Sequence, residues 1–180
     1  MVSAITTLVS IALLLASVVF VGSSTFTSLR QLSEGWTQRE GNAFQALRSR
    51  LGAVCTSSTG PRVFVVLKNT GEVPLLHFRG WDVFVEYYDN SGTYYQKRLA
   101  YTSAPNPGNN QWTVQGIYID QENTIRERFQ PNILDPQEEV KLDLRLSPSA
   151  RTTSNNRVVV AAANGVSVAT FFSGTDPRCD

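Results

Sequence analysis

The stretch that decides the fold reads Glu138-Glu139-Val140-Lys141-Leu142-Asp143-Leu144-Arg145-Leu146. From position 140 onward its apolar and charged residues alternate without a break. Successive side chains of a β-strand point to opposite faces of a sheet, so this pattern predicts a strand with one buried and one solvated face. Val63, Val65 and Leu67 repeat the pattern earlier in the chain. We therefore expect a head domain built from half-buried strands.

Seven runs of this kind follow one another after Pro61, and Gly, Pro and Asn residues separate them. Asn164-Gly165 is a strong signal for a two-residue hairpin turn. Short strands with frequent turns and no convincing helix are typical of an antiparallel, immunoglobulin-like β-sandwich. The seven predicted strands are residues 62–68, 81–88, 93–101, 111–119, 138–146, 157–163 and 166–172.

The N-terminal segment has a different composition, since residues 1–29 contain no ionisable side chain and the first charge is Arg30. A helix of about 20 apolar residues crosses the ~30 Å hydrocarbon core of a membrane. Three interpretations compete: a secretory signal peptide, a permanent membrane anchor, and an assembly helix that leaves the membrane to pack into a filament. A cleaved signal peptide is disfavoured because only the terminal amine supplies its positive start.

Serine recurs every seven residues within this segment, at Ser3, Ser10, Ser17 and Ser24. On a helix these positions lie nearly on one stripe, which drifts by ~20° per heptad. A stripe of small residues lets helices approach closely in an apolar environment. The alternative is that a lone membrane anchor simply tolerates the serines. The predicted helix-packing residues are Ser3, Ala4, Ser10, Ala12, Leu14, Ser17, Phe20 and Ser24.

Apolar residues keep a helical spacing beyond Arg30, and charged or amide side chains lie between them. This pattern predicts that the apolar helix continues as an amphipathic one as far as Val54. The predicted organisation is a hydrophobic then amphipathic assembly helix over residues 1–54, a linker over 55–61 and a β-sandwich head over 62–180. The predicted fold class is α+β, with a long N-terminal hydrophobic helix before the sandwich.

The composition excludes several classes of function. A net charge of +1 over 180 residues gives no electrostatic reason to bind nucleic acid. His77 is the single histidine and the two cysteines are far apart, so we expect no metal and no cofactor. Glu138 and Glu139 are adjacent, so on a strand they face opposite sides and form no acid and base pair. Nothing assembles a catalytic group, and we expect no enzyme.

Cys55 lies at the end of the predicted stalk, and Cys179 lies beside the C-terminus. A disulfide between them would tie the tail back to the neck of the head. Closing so long a loop is worth about 5 kcal/mol in the chain-entropy model, and an extracellular compartment permits it. Two free thiols are the alternative.

All six tyrosines lie within residues 87–118, close to Trp81 and Trp112. Such clusters bind sugars or proteins in some folds. Aromatic residues are also favoured in strands, where they form cross-strand pairs. We therefore interpret the cluster as sheet packing and predict no glycan site.

Three further segments of the head are informative when taken together. They are Leu67-Lys68-Asn69-Thr70-Gly71, Asn132-Ile133-Leu134-Asp135-Pro136-Gln137-Glu138 and Ala163-Asn164-Gly165-Val166. Together with the charge-free helix and the amphipathic stalk, they make the chain resemble the type IV pilin superfamily, and within it archaellins and related archaellum proteins. Bacterial type IV pilins usually carry Glu at the fifth mature position, whereas this chain has Ile5. Archaellins generally lack that Glu, so the departure favours them.

The resemblance implies a structural subunit of an extracellular helical filament, of archaellum or type IV pilus type. Such a subunit lies in the membrane before assembly and polymerises with copies of itself through its N-terminal helix. It serves motility in an archaellum or adhesion in a pilus, and it contacts the cell envelope or a motor platform. The alternative is a membrane-anchored archaellum accessory of stator type, or a cell-envelope binding module that presents its β-sandwich head to a partner.

Overall fold

The computed structural model describes residues 47–122, 124–130 and 132–179. Within these ranges the chain forms nine β-strands and one 3₁₀ turn, Phe78–Gly80. The strands carry many β-branched and aromatic residues, which fit a pleated, half-buried surface. Their bounds are β1 Leu51–Thr59, β2 Arg62–Asn69, β3 Asp82–Tyr88, β4 Tyr94–Tyr101, β5 Gln111–Asp120, β6 Ile125–Arg126, β7 Glu139–Arg145, β8 Asn156–Ala161 and β9 Ser167–Phe172.

The strands are hydrogen-bonded in the order β1-β2-β7-β5-β4-β3-β8-β9, and the short β6 pairs with β5. All neighbours are antiparallel except β4 and β5, which run parallel for only two residue pairs, Ala100 with Gln111 and Tyr101 with Trp112. This short contact divides the strands into two halves. One half contains β1, β2, β7, β5 and β6, and the other contains β4, β3, β8 and β9.

The two outermost strands, β1 and β9, approach each other on the other side of the domain. The Thr56 hydroxyl donates a hydrogen bond to the carbonyl of Phe171 at 2.9 Å. The Ser58 N–H donates to the carbonyl of Gly174 at 2.7 Å. The strands therefore enclose a nearly closed sandwich, which leaves few unpaired edges.

Strand register defines two ends of this sandwich. At the neck end β1 begins, β2 ends and β7 begins, because Leu51 pairs with Asn69 and Lys68 pairs with Glu139. At the far end β1 ends, β2 begins and β7 ends, because Arg62 pairs with both Thr59 and Arg145. The chain enters the domain at the neck end.

The core lies between the two halves and consists of side chains that alternate inward along the strands. In β7 the inward residues Val140, Leu142 and Leu144 are fully buried. They pair with the equally buried inward residues of β2, namely Val63, Val65 and Leu67. Each such side chain stabilises the fold by roughly 1.5–3 kcal/mol relative to exposure.

One buried polar side chain fastens the neck end. Asn69 is fully buried, and its amide group donates to the carbonyls of Val73 and Leu134, each at 2.9 Å. Its side-chain oxygen accepts from the N–H of Gly71 at 3.0 Å. Buried backbone groups must find hydrogen-bond partners, and Asn69 supplies one for the Gly71 N–H and one for the Val73 carbonyl. The Leu134 carbonyl also accepts from the N–H of Leu75 at 2.9 Å.

The predicted α+β fold class is wrong for the described residues, which form an all-β domain. Among them the 3₁₀ turn is the longest helical element, and the strands number nine rather than about seven. The additional strands are β1 and the two-residue β6. The earlier part of the predicted N-terminal helix, residues 1–46, lies outside the described residues.

β1 is the clearest correction, since it occupies Leu51–Thr59, where the sequence predicted the end of a helix and a linker. A bulge between Ala53 and Cys55 interrupts the pairing with β2. It also breaks the alternation of side chains, so Leu51 and Val54 retain a spacing of three that resembles a helix. Pairing with β2 satisfies the backbone of the whole segment, and this tertiary contact overrides the local pattern.

Candidate interaction surface

The two cysteines that the sequence analysis paired are joined in the structure. Cys55 of β1 and Cys179 form a disulfide with an S–S distance of 2.07 Å and a Cα–Cα distance of 5.8 Å. Both sulfur-bearing residues are buried against Val66 on the outward side of β2. The N–H of Asp176 donates to the Ser57 hydroxyl at 3.2 Å, so the tail before Cys179 also follows β1. The C-terminal tail is thereby fixed to the first strand of the domain.

The predicted helix-packing residues have no structural description. They lie within residues 1–46, outside the described ranges. Within the described ranges, no helix is long and apolar enough to cross a membrane. The predicted packing set remains Ser3, Ala4, Ser10, Ala12, Leu14, Ser17, Phe20 and Ser24.

The three head segments on which the family resemblance rests meet at the neck end. Asn69, in the first segment, bonds to the carbonyl of Leu134, in the second. Asn164, in the third segment, donates to the Ser49 hydroxyl at 2.6 Å. A Cβ added to Gly71 would lie 3.0 Å from the Cα of Ser49, so the first segment also lies against the incoming chain. We call Ser49, Asn69, Leu134 and Asn164 the neck cluster.

An exposed aromatic surface lies on the outward side of the β9-β8-β3-β4 half. Phe84 and Tyr88 share one side of β3 because they are four residues apart. Tyr88 pairs with Tyr94 across β3 and β4, and Phe171 pairs with Arg157 across β9 and β8. The four aromatic side chains are between 38% and 65% exposed. We call Phe84, Tyr88, Tyr94 and Phe171 the aromatic face.

Ion pairs and hydrogen bonds fill the spaces between these aromatic residues. Glu86 lies 3.7 Å from Arg157 and accepts a hydrogen bond from Gln96 at 3.2 Å. Arg98 donates to Asp82 at 2.8 Å through its Nε. Each exposed pair contributes less than about 1 kcal/mol to stability. Their effect is to leave a surface of aromatic groups among internally paired charges, which is the composition of a protein interface.

A rigid loop holds the far-end edge of the aromatic face. The Asp89 carboxylate accepts from the hydroxyl and the N–H of Ser91, at 2.6 and 2.9 Å, and from the N–H of Thr93 at 2.8 Å. The Ser91 hydroxyl, followed by these backbone N–H groups, lowers the pKa of Asp89 from its ordinary value. The loop connects β3 to β4, so it fixes the spacing of Tyr88 and Tyr94, whose ring centroids are 5.2 Å apart.

Three of the other tyrosines form packing pairs on the inward side, as the sequence analysis predicted for the cluster, and the fourth, Tyr118, lies under Arg126. Tyr87 stacks on Tyr95 at 5.4 Å, and Tyr101 meets Trp112 edge-on at 5.0 Å. The hydroxyl of Tyr87 is buried and has no hydrogen-bond partner among the described residues. Burial, followed by the influence of Tyr95 and Asp89, raises its pKa to about 12. The aromatic residues are thus divided between the core and the aromatic face.

Two carboxyl groups of the described residues interact, since the side chains of Glu127 and Glu138 are hydrogen-bonded. Burial is the main cause that raises the pKa of Glu138. Asp143 is buried, which raises the pKa of its carboxyl, while Arg62 at 3.1 Å opposes the rise. His77 is exposed and occupies a left-handed backbone conformation with φ 58° before the 3₁₀ turn. No group of three or more metal-ligating side chains occurs within the described ranges.

Phe84 and Phe171 are the members of the aromatic face that sequence reasoning missed. The sequence of the predicted strands 81–88 and 166–172 contains a pattern that could have identified these two residues as exposed. Alternation places Phe84 on the same side as the charged Asp82 and Glu86, whereas a core residue would lie with Val83 and Val85. A large apolar residue on the polar side of a strand is informative because exposed apolar groups gathered in one patch mark interaction sites.

No protein-family model matches the chain, and no curated protein matches its sequence. Among solved structures, the archaellum periplasmic stator protein FlaG from Sulfolobus acidocaldarius is similar over 69% of this chain and 99% of its own, with 20% identity and a TM-score of 0.49. A chain from the FlaF and FlaG stator complex of the same organism is similar over 68% of this chain and 88% of its own, with 21% identity and a TM-score of 0.49.

The archaeal flagellum of Methanospirillum hungatei strain JF1 covers 90% of this chain and 91% of its own, with 12% identity and a TM-score of 0.41. These structural neighbours are archaellum components, and none is described as an enzyme. All three TM-scores are below 0.5 and all three identities are below 25%, so the likeness by itself assigns no role to this chain.

Proposed function

We propose that this chain is a membrane-tethered accessory of an archaellum-type machine, of stator type, whose head works outside the cytoplasm. The observation that carries the proposal is the Cys55–Cys179 disulfide. Such bonds persist in oxidising compartments and are rare in the cytosol. Residues 1–29, which have no ionisable side chain, supply a tether long enough to enter a bilayer.

The neck cluster supports the archaellum part of this proposal. The sequence resemblance rests on three segments that are far apart in the chain, and each has a plain explanation as a turn when taken alone. In the fold, Asn69 of the first segment contacts Leu134 of the second, and Asn164 of the third contacts Ser49 beside them. The three segments therefore build one feature, the attachment of the head to the incoming chain.

The aromatic face supports a protein as the partner of the head. Tyrosine and phenylalanine give large contact areas at low entropic cost, and they are enriched where proteins bind proteins. Tyr88 and Tyr94, which pair with each other, lie toward the far end, because Tyr94 comes six residues before the point where β4 meets the start of β5.

Thiol labelling of intact cells tests the compartment. The full chain is treated with a maleimide polymer of several kilodaltons, before and after reduction. We expect the chain to sediment with membranes and to shift on a gel only after reduction, by two polymer units. The double variant Cys55→Ser and Cys179→Ser is the control that never shifts. A chain that is labelled without reduction in the cytosolic fraction contradicts the proposal.

Site-specific photo-crosslinking tests the partner. We expect a photoreactive phenylalanine at Tyr94 or Phe171 to give a discrete heteromeric product in cells. The same group at Gln115, which is also exposed but lies on the other half of the sandwich, is the matched control. Equal products from all three positions, or products only with the chain itself, contradict a partner site on the aromatic face.

A filament subunit is the second candidate, and the regular recurrence of Ser3, Ser10, Ser17 and Ser24 favours it. In that case these serines, with neighbours such as Leu14, are the positions through which copies of the chain associate in an apolar environment. Repetition of one contact between identical subunits gives an open helical polymer. Such a filament would serve motility, or adhesion if it is a pilus.

Electron microscopy of material sheared from the cell surface separates the two candidates. A filament subunit gives fibres made mainly of this chain, and Leu14→Asp abolishes them because a charge is costly within an apolar bundle. Leu14→Ile, which keeps the size and polarity, should assemble normally. A native chain that stays with the membrane fraction and gives no fibres leaves the accessory as the function.

A further inference from the structure

Three exposed apolar side chains lie together at the end of β5. Ile119, Ile125 and Phe129 line one surface groove of about 650 Å³. Phe129 is 93% exposed and the two isoleucines are more than half exposed. Soluble proteins seldom gather large apolar groups at an exposed tip without a function for them. We call these three residues the apolar tip.

The backbone holds this tip in place. A bulge between Tyr118 and Asp120 turns Ile119 out of the ladder between β5 and β6. The Glu127 carboxylate accepts hydrogen bonds from the N–H groups of Phe129 and Gln130, which fixes the chain beyond β6. The first of these bonds is the main reason that the pKa of Glu127 lies below its ordinary value. Phe129 therefore projects from an ordered turn.

The apolar tip lies at the neck end of the sandwich. Tyr118, next to Ile119, pairs with Glu139 at the start of β7. Glu139 pairs with Lys68 at the end of β2, beside the start of β1. Adjacent strands are ~4.8 Å apart, so three steps across the sheet separate the tip from β1 by roughly 15 Å. Tyr88 and Tyr94 of the aromatic face lie toward the opposite end.

The charges around the tip are nearly balanced. Arg126 lies over the ring of Tyr118 with its guanidinium carbon 5.4 Å from the centroid. Arg128 and Glu127 also line the groove, so its lining carries two positive charges and one negative charge. The attraction of this surface is therefore apolar rather than electrostatic, and a lipid surface matches it better than a charged partner does.

We propose that the apolar tip inserts into the membrane surface, at the boundary between headgroups and acyl chains, beside the N-terminal tether. The inference rests on the tether of the proposed function. The residues between Leu29 and Leu47 reach at most roughly 60 Å when fully extended, which limits how far the head can move from the bilayer. Such tethering raises the effective concentration to roughly millimolar, so three weakly inserting side chains suffice.

Membrane contact at the neck end gives the head a defined orientation. Two attachments, the tether and the apolar tip, restrict how the head rotates above the bilayer. With the neck end held down, the edge of the aromatic face that carries Tyr88 and Tyr94 points away from the membrane, where an envelope protein is accessible. The tip would thus act as an orienting contact for the binding surface.

Fluorescence of the full chain in vesicles tests the insertion. Phe129→Trp adds one indole at the tip. The third native tryptophan, Trp36, is replaced by phenylalanine in every sample, and Trp81 and Trp112 are buried, so subtracting the Trp36→Phe emission isolates the new signal. In phosphatidylcholine vesicles carrying acyl-brominated lipid, we expect this signal to fall roughly two-fold, since bromines quench at the depth of an interfacial residue. Tyr94→Trp, exposed toward the far end, is the control and should not be quenched.

The outcomes separate this inference from the proposed function. Flotation of the vesicles comes first: a chain that does not float with lipid overturns the tether, and the tip contact with it. A chain that floats while Phe129→Trp is unquenched overturns the insertion alone. A blue shift without bromine quenching indicates that a second copy or another protein covers the tip, and this also overturns it. Quenching that survives high salt supports the apolar contact.

Discussion

Removal of the Cys55–Cys179 disulfide should lower the stability of the head more than any single surface change. The two cysteines are 124 positions apart. In the chain-entropy model, a closed loop of that length restricts the unfolded chain by about 16 cal/mol/K, which is about 5 kcal/mol at 25 °C. A domain of this size has an unfolding free energy of roughly 5–15 kcal/mol, so the loss is a third of it or more.

The assay is guanidinium unfolding of the full chain in detergent, in a Trp36→Phe background, so that the emission comes from Trp81 and Trp112, both buried in the core. We expect the midpoint of the variant Cys55→Ala and Cys179→Ala to fall by roughly 1–2 M, with a steeper transition because its unfolded state is more extended. Val66→Ala trims the packing around the sulfurs and keeps the bond, so it is the matched control. Its smaller effect measures packing alone.

The single variants provide the decisive comparison. Either Cys55→Ala or Cys179→Ala removes the whole cross-link, so each should cost nearly as much as the double variant. Effects of residues that form one unit do not add. If the two single effects add up to the double effect, or if the double variant unfolds within about 1 kcal/mol of the native chain, the reasoning from loop closure is wrong.

Three further predictions concern the neck end and the β3–β4 loop. Asn69→Ala should lower the unfolding free energy by roughly 2 kcal/mol or more, because the Gly71 N–H and the Val73 carbonyl lose their side-chain partner, while the exposed Asn90→Ala stays within about 0.5 kcal/mol of native in the same denaturation assay. Gly71→Ala should cost about 2 kcal/mol or more in that assay, because its Cβ would lie 2.5 Å from the backbone nitrogen of Arg50. Asp89→Asn should lower the unfolding free energy at neutral pH and have no effect in acid. The pKa of Asp89 is lowered in the folded state, so its negative charge stabilises the fold above the unfolded pKa of about 4. This stabilisation is lost as the pH falls through the folded pKa. A pH series that shows the same cost at pH 7 and at pH 2 contradicts that mechanism.

Periodicity predicted most of the head correctly. The expected strands 62–68 and 138–146 are confirmed by β2 and β7, which pair with each other through alternating residues. The pattern is readable because one face of each strand is buried and the other is solvated, which imposes a period of two on polarity. The hairpin expected at Asn164-Gly165 connects β8 and β9, and Gly165 has the positive φ that such a turn needs.

β1 could not be predicted in this way. Its bulge breaks the alternation, and its apolar residues keep a helical spacing, so the local pattern favoured the wrong element. Hydrogen bonds to β2 and the buried disulfide decide its conformation. Both are contacts between residues far apart in the chain, and a pattern within one segment contains no information about them.

The aromatic face and the apolar tip also depend on contacts between residues that are far apart in the chain. Four members of an exposed aromatic face come from three different strands, and only their register brings Tyr88 beside Tyr94 and Phe171 beside Arg157. The apolar tip depends on a bulge in β5 and on a turn held by Glu127. Neither surface forms a motif along the chain.

The sequence by itself determined that most of the head is β-structure and that residues 1–29 contain no ionisable side chain. These properties follow from composition and from local periodicity, which depend on neighbours within a few positions. Only the tertiary structure decided the conformation of β1, the meeting of three distant segments at the neck, and the assembly of an apolar tip and an aromatic face on separate parts of the sandwich. Strand order and register decide these features, because they set which distant residues become neighbours.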